Sequence, residues 1–269
     1  MKRCSPVPLL VAVAAGPLIA GFWPFAAHAG ASRCWFEAGV LVVPAEVLGI
    51  AGDYVLDTGA AQTLVADTQA QAAGYAQTQL SGEVRLAGLD LAARPVTVAK
   101  LDARLWPLPT PVAGVIGADI LAGRVLDVRF APCRVALYEP GQAPAFGAAV
   151  VRPLAWRGGR PVTAAAVADG RRTLQGDFVV ATGEDTPVRL RDDLADAPGA
   201  AKREALYPYG EIRPRLRALS FAGDLYEAQP SGLEAKADLD ATGEIGGPVL
   251  AHYRLRFDFV HGRLELAKP

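Results

Sequence analysis

Gly52-Asp53-Tyr54-Val55-Leu56-Asp57-Thr58-Gly59-Ala60 returns later in the chain as Gly176-Asp177-Phe178-Val179-Val180-Ala181-Thr182-Gly183-Glu184. Each copy runs from Gly-Asp through an aromatic residue and two apolar ones, the pattern of a buried strand, into a small turn. Both turns keep Thr-Gly. The chemically decisive difference is one residue: Asp57 in the first copy, Ala181 in the second.

The repeat extends beyond these blocks. Gly114-Val115-Ile116-Gly117 precedes Ile120-Leu121 and then Leu126-Asp127-Val128-Arg129-Phe130. Gly243-Glu244-Ile245-Gly246 precedes Val249-Leu250 and then Leu255-Arg256-Phe257-Asp258-Phe259. Each copy closes on a hairpin that ends Arg134-Val135-Ala136-Leu137 or Arg263-Leu264-Glu265-Leu266. Blocks recurring in one order at similar spacing mark two similar lobes in tandem, over 34–139 and 150–269. The joining segment holds Pro140, Gly141, Pro144 and Gly147 and reads as a linker. Inside each lobe the pattern is mostly strand. Asp169-Gly170 is a hairpin signal, and residues 66–73 and 195–206 are the helical candidates.

The chain has 269 residues, 51% hydrophobic and 20% charged, enough for one large or two small domains with real cores. Lys2 and Arg3, an apolar core from Leu9 to Ala20, and Ala27-His28-Ala29 form an export signal over 1–29, cleaved after Ala29. An uncleaved anchor is the alternative, since no Lys, Arg, Asp or Glu occurs from Cys4 to Ser32; Pro8, Pro17, Pro24 and Gly21 argue against a spanning helix. The expected location is periplasmic or secreted, with no stable membrane span after cleavage. Cleavage removes two basic residues and no acids, so a formal charge of -1 becomes about -3, which gives no reason to expect nucleic acid as a partner. It also removes Cys4 and leaves Cys34 and Cys133, an even count in an oxidising compartment, and hence an expected disulfide.

A strand entering Asp57-Thr58-Gly59-Ala60, with Gly114-Val115-Ile116-Gly117 downstream and the whole plan repeated, resembles the retropepsin and pepsin superfamily of aspartic proteases. The two-lobe chain is similar to pepsin-like enzymes; Asp-Thr-Gly-Ala and the small lobes are more retropepsin-like. The resemblance implies an all-β, bilobal fold of two barrel-like lobes related by a pseudo-two-fold axis. It implies Asp57 as a catalytic carboxylate, and active-site loops built from Thr58, Gly59, Ala181, Thr182 and Gly183. The two threonines would bond across the lobe interface, and the glycines would permit tight turns that bring amide groups to the carboxylates.

In that family two carboxylates, one per lobe, share a proton and hold a water that attacks the peptide carbonyl. Ala181 binds no proton, so this dyad cannot form within one chain. Loss of a general acid–base partner costs about 10²–10⁴ in rate. Two functions follow. One is an aspartic-type peptidase whose missing partner comes from a nearby residue or a second chain. The other is a pseudo-peptidase that binds a peptide or protein in the inter-lobe cleft. Glu184 and Asp185 are expected to be solvated turn residues. Tyr75 to Gly82 and Tyr207 to Gly210 are the only stretches placed to form a flap, and both read as ordinary loops. His252 and His261 show no metal-ligand spacing, no nucleophile elbow or nucleotide motif occurs, and no cofactor or metal is expected. The expected partner is a peptide or protein, with the chain a monomer or homodimer.

Overall fold

The structure is a computed structural model that describes residue 1 and residues 30–101, 108–206 and 211–269, with side chains omitted at 205–206 and 211–213. The export signal and the Tyr207–Gly210 stretch lie outside the described residues. The fold is all-β, with two closed six-stranded barrels and a sheet that joins them.

The first barrel is built from β3 (Val40–Val47), β4 (Ile50–Leu56), β5 (Leu64–Ala66), β6 (Gln79–Leu86), β7 (Leu89–Ala99) and β8 (Gly114–Ile116). Its order is β3-β4-β8-β5-β7-β6, closed by pairing of β3 with β6; the short β2 (Trp35–Glu37) adds to β3. The second repeats the plan with β13 (Arg160–Asp169), β14 (Arg172–Ala181), β15 (Val188–Arg191), β17 (Glu211–Phe221), β18 (Asp224–Glu234) and β19 (Gly243–Gly246). The order β13-β14-β19-β15-β18-β17 is closed by β13 with β17; β12 (Ala155–Arg157) and β16 (Arg203–Leu206) flank it. Closure removes exposed sheet edges and wraps each strand's apolar face around a core. Tyr54, Leu56 and Ile116 in one barrel, and Phe178, Val180 and Ile245 in the other, are fully buried at matching places.

The two closing hairpins leave their barrels. β9 (Val125–Phe130) and β10 (Cys133–Tyr138) meet β20 (Arg254–Asp258) and β21 (Arg263–Ala267) in one six-stranded sheet, with β1 (Ala31–Arg33) and β11 (Val150–Pro153) at its edges. β9 pairs with β20, so the lobes share a continuous ladder. Arg256 and Asp127 face each other in that register and form a bidentate pair of 2.6 and 2.7 Å. The linker is packed as well: Phe146 is buried, the Arg254 and Arg256 guanidinium groups lie over its ring, and the Pro144 carbonyl accepts from Arg256.

Cys34 and Cys133 are joined in a disulfide with Cα atoms 5.0 Å apart, which staples the chain before β2 to the start of β10. The helical expectation over 66–73 matches α1 (Asp67–Ala72). The expectation over 195–206 is corrected: α3 (Asp192–Ala195) is a single turn, Pro198-Gly199 ends any continuation, and β16 takes up 203–206. Two further single turns, α2 (Ala118–Leu121) and α4 (Gly247–Leu250), follow β8 and β19.

Candidate active site

Asp57 follows the last residue of β4 and Ala181 ends β14, where each strand leaves its barrel toward the other lobe. The parallel neighbours β8 and β19 hold those ends: Leu56 pairs with Ile116, and Ala181 with Gly246. The Asp57 amide donates to the Ile116 carbonyl at 2.9 Å. The shared spacing between the repeat blocks thus has a local cause, because the second block is the strand that flanks the first.

The following threonines lock the lobes reciprocally. Thr58 Oγ1 donates to the Val180 carbonyl at 2.5 Å, and Thr182 Oγ1 donates to the Leu56 carbonyl at 2.6 Å. The Thr58 amide donates to Thr182 Oγ1 at 3.1 Å, and the Thr182 amide to Thr58 Oγ1 at 3.2 Å. Both side chains are fully buried, so each hydroxyl satisfies groups that water cannot reach. The turns of the β2–β3 and β12–β13 hairpins add contacts across the interface. Gly39 packs on the Asp185 backbone and Gly159 on Ala61.

Asp57 is buried, and its Oδ1 accepts from the Gly59 amide at 2.8 Å and from the Gly183 amide at 3.2 Å, one donor from each lobe. The glycines are needed for space rather than for backbone freedom, since neither has a positive φ. A β-carbon on Gly183 would fall 2.5 Å from Cβ and Cγ of Asp57. The mirror relation places Ala181 over Gly59: a β-carbon there would fall 2.4 Å from that of the alanine. Ala181 therefore occupies the place that pairs with Asp57 by pseudo-symmetry. Beneath the loops, a β-carbon on Gly117 would meet the Gln62 backbone at 2.6 Å, and one on Gly246 the Thr186 carbonyl at 2.0 Å.

The expectation that Glu184 is a solvated turn residue is overturned. It is 8% exposed, its Oε2 lies 2.6 Å from Arg189, and its Oε1 accepts from the Thr186 amide at 3.0 Å. Burial holds its pKa above the ordinary carboxylate value. Asp185 is half-buried and accepts from the Thr186 hydroxyl at 3.2 Å. Arg189 reaches on to Glu234 at 2.6 Å.

Sequence reasoning missed Glu244. It is 6% exposed, lies on β19 opposite Val179 and Arg189, and meets Arg160 at 3.2 Å. Its pKa is pushed up to about 8, first by burial and then by the Glu184 charge; Arg189 and Arg160 oppose this, and Asp57 adds to it. A glutamate interrupting an apolar, glycine-flanked strand block was the visible signal, since the first copy has Val115 there.

The Tyr75 stretch is tied down at the far end of β4 from Asp57: the Tyr75 hydroxyl donates to the Leu48 carbonyl at 2.7 Å, in the β3–β4 turn, and β6 begins at Gln79. His261 bonds Asp258 through Nδ1 at 2.8 Å, and the His252 ring lies beside Tyr226. Among the described residues no group of three or more His, Cys, Asp or Glu is placed to hold a metal, and no helix is long and apolar enough to cross a membrane.

The chain is similar in structure to the aspartic proteinase from Irpex lacteus, with a TM-score of 0.53 and 14% identity, over 89% of this chain and 97% of that one. At that identity the likeness shows the fold, which is the bilobal, pepsin-like one. No protein-family model matches the chain, and no curated protein matches it in sequence.

Proposed function

We propose that the protein is an aspartic-type peptidase that takes an extended peptide between its two barrels and hydrolyses it slowly through Asp57. The observation that carries this reading is the Asp57 carboxylate itself: it is buried at the lobe junction and held by one amide from each lobe. A carboxylate fixed there by a locked interface is preorganised to orient and deprotonate a water. Ala181 on the opposite side supports a low rate, because the usual second carboxyl is missing. Export to the periplasm or the exterior, and action as a monomer or homodimer, belong to the same proposal.

A second reading rests on Ala181 alone: the cleft binds a peptide and leaves it intact. Incubation of an unfolded protein with the mature chain and with Asp57→Asn separates the two. The peptidase reading requires fragments from the wild type and none from Asp57→Asn, with closely similar melting curves. Peptide binding by both proteins with fragments from neither would establish the second reading.

A further inference from the structure

Strand register matches the two lobes residue by residue around the site. Val42 pairs with Val55 and Val162 with Val179; Val55 pairs with Val115 and Val179 with Glu244; Val115 pairs with Leu64 and Glu244 with Arg189. Two residues before Val42 stands Val40, and two before Val162 stands Arg160. In the first lobe Val40, Leu64 and Val115 belong to one apolar cluster with Val42 and Val55. In the second lobe the same three places carry Arg160, Arg189 and Glu244. The lobe with no carboxylate at 181 therefore holds a buried one on the neighbouring strand.

Residues opposite each other in a parallel pair share a face, as do residues two apart along a strand. Glu244 thus lies on the face that Ala181 occupies, about 7 Å back along the strand direction. We propose that Glu244 is the second carboxyl of the site, holding the proton that Asp57 needs from a partner. This rests on the peptidase reading given above.

The groups facing Glu244 fit a shared proton better than a simple ion pair. Arg160 and Arg189 favour its charge, but Arg189 is also engaged by Glu184 and Glu234. Burial disfavours its charge most, and Glu184 and Asp57 act in the same direction, so the balance stands above the ordinary carboxylate value despite both guanidinium groups. With its pKa pushed up to about 8, Glu244 is then a neutral acid at pH 7. The step balances without a cofactor. Water adds to the peptide carbonyl carbon while Asp57 takes a proton from it, and Glu244 passes its proton to the carbonyl oxygen through one bridging water. As the C–N bond breaks, Asp57 returns its proton to the leaving nitrogen and the Glu244 carboxylate recovers one from the geminal diol.

The test uses the mature protein labelled with ¹³C at glutamate carboxyls, in wild type and Asp57→Asn. The Glu244 resonance, assigned by its loss in Glu244→Gln, is expected to titrate near pH 8. In Asp57→Asn its midpoint should fall measurably, because a like charge has gone. A structural ion cluster remote from Asp57 would not respond, and an unmoved midpoint overturns the proposal. So does a Glu244 ionised already at pH 6. In the activity arm, Glu244→Gln should lower kcat about 10²-fold or more with little change in KM, and Glu244→Asp should recover part of it. Wild-type kcat in Glu244→Gln also overturns it. Should Glu244→Gln not fold, Glu244→Asp supplies the assignment by removing the same resonance. Cleavage that depends on Asp57 with no coupling to Glu244 keeps the peptidase reading and removes the pair. Coupling in a protein that cuts nothing keeps the pair and removes the peptidase reading.

Discussion

Ala181 bears on Gly59 as Asp57 bears on Gly183: a β-carbon built on either glycine falls 2.4 or 2.5 Å from the β-carbon opposite. The two relations are related by the pseudo-two-fold axis, so Ala181 mirrors Asp57 in position and carries no carboxylate. The locking threonines have no such asymmetry: each hydroxyl donates to a carbonyl of the other lobe.

The threonine lock should be worth measurable stability. Thr58→Val keeps the volume but leaves the Val180 carbonyl and the Thr182 amide short of a partner in a buried site. Each single change, Thr58→Val or Thr182→Val, is expected to cost about 1–3 kcal/mol by urea denaturation. Their sum should differ from the double variant, because the two hydroxyls belong to one network. Two changes within about 0.5 kcal/mol of wild type would mean that water replaces the hydroxyls.

Gly183→Ala tests whether close approach, rather than turn conformation, demands glycine. The added methyl group must displace Asp57, with no flexible side-chain end to yield. The variant is expected to lose Asp57-dependent cleavage and to melt several degrees lower. Gly123→Ala, whose added carbon meets nothing within 4 Å, is the control for a steric effect: any loss there comes from the φ of +76° at Gly123 alone.

Stability should fall as pH rises through the neutral range. Glu244 has its folded pKa raised to about 8 from 4.5, so the folded state binds the proton more tightly than the unfolded chain. The contribution is full below about 4.5 and is lost progressively up to about 8. The loss is at most about 5 kcal/mol, and Glu184 shifts in the same direction. Denaturation at intervals from pH 5 to 9 should show this slope in wild type and a flatter one in Glu244→Gln. Equal slopes would place the titration elsewhere.

The disulfide closes a sequence separation of 99 residues. Loss of the cross-link through Cys34→Ser with Cys133→Ser is expected to cost up to about 4–5 kcal/mol, mainly through the unfolded chain. Thiol titration of the denatured, non-reduced mature protein should find no free thiol; two would contradict the bridge.

Much of this arrangement could be read from the chain because its causes are local or repeated. Tyr54-Val55-Leu56 before Asp57, and the Gly114–Gly117 block that flanks it, recur as neighbouring strands. Cys34 and Cys133 were legible from an even count. Properties set by distant packing were not. Nothing near Glu184 in sequence announces that Arg189 and the β19 strand will bury it, and the turn residues around it look solvent-facing. Arg160 stands where Val40 stands in the first lobe, a correspondence visible only once barrel register is known. The closing hairpins were legible as hairpins, but their joining through Arg256 and Asp127 depends on two segments 129 residues apart.

The decisive comparison is the acid-pH cleavage rate of wild type and Ala181→Asp, each isolated as monomer by size, with Asp57→Asn in both backgrounds. The new carboxylate would stand in the mirror position of Asp57, which packs against Gly183 as Ala181 packs against Gly59. Ala181→Asp is expected to cut at least about tenfold faster than wild type, and Asp57→Asn to silence both. Wild-type monomer cutting as fast as Ala181→Asp, or undiminished cutting by Asp57→Asn, would contradict a peptidase that works through Asp57 and is limited by the residue at 181.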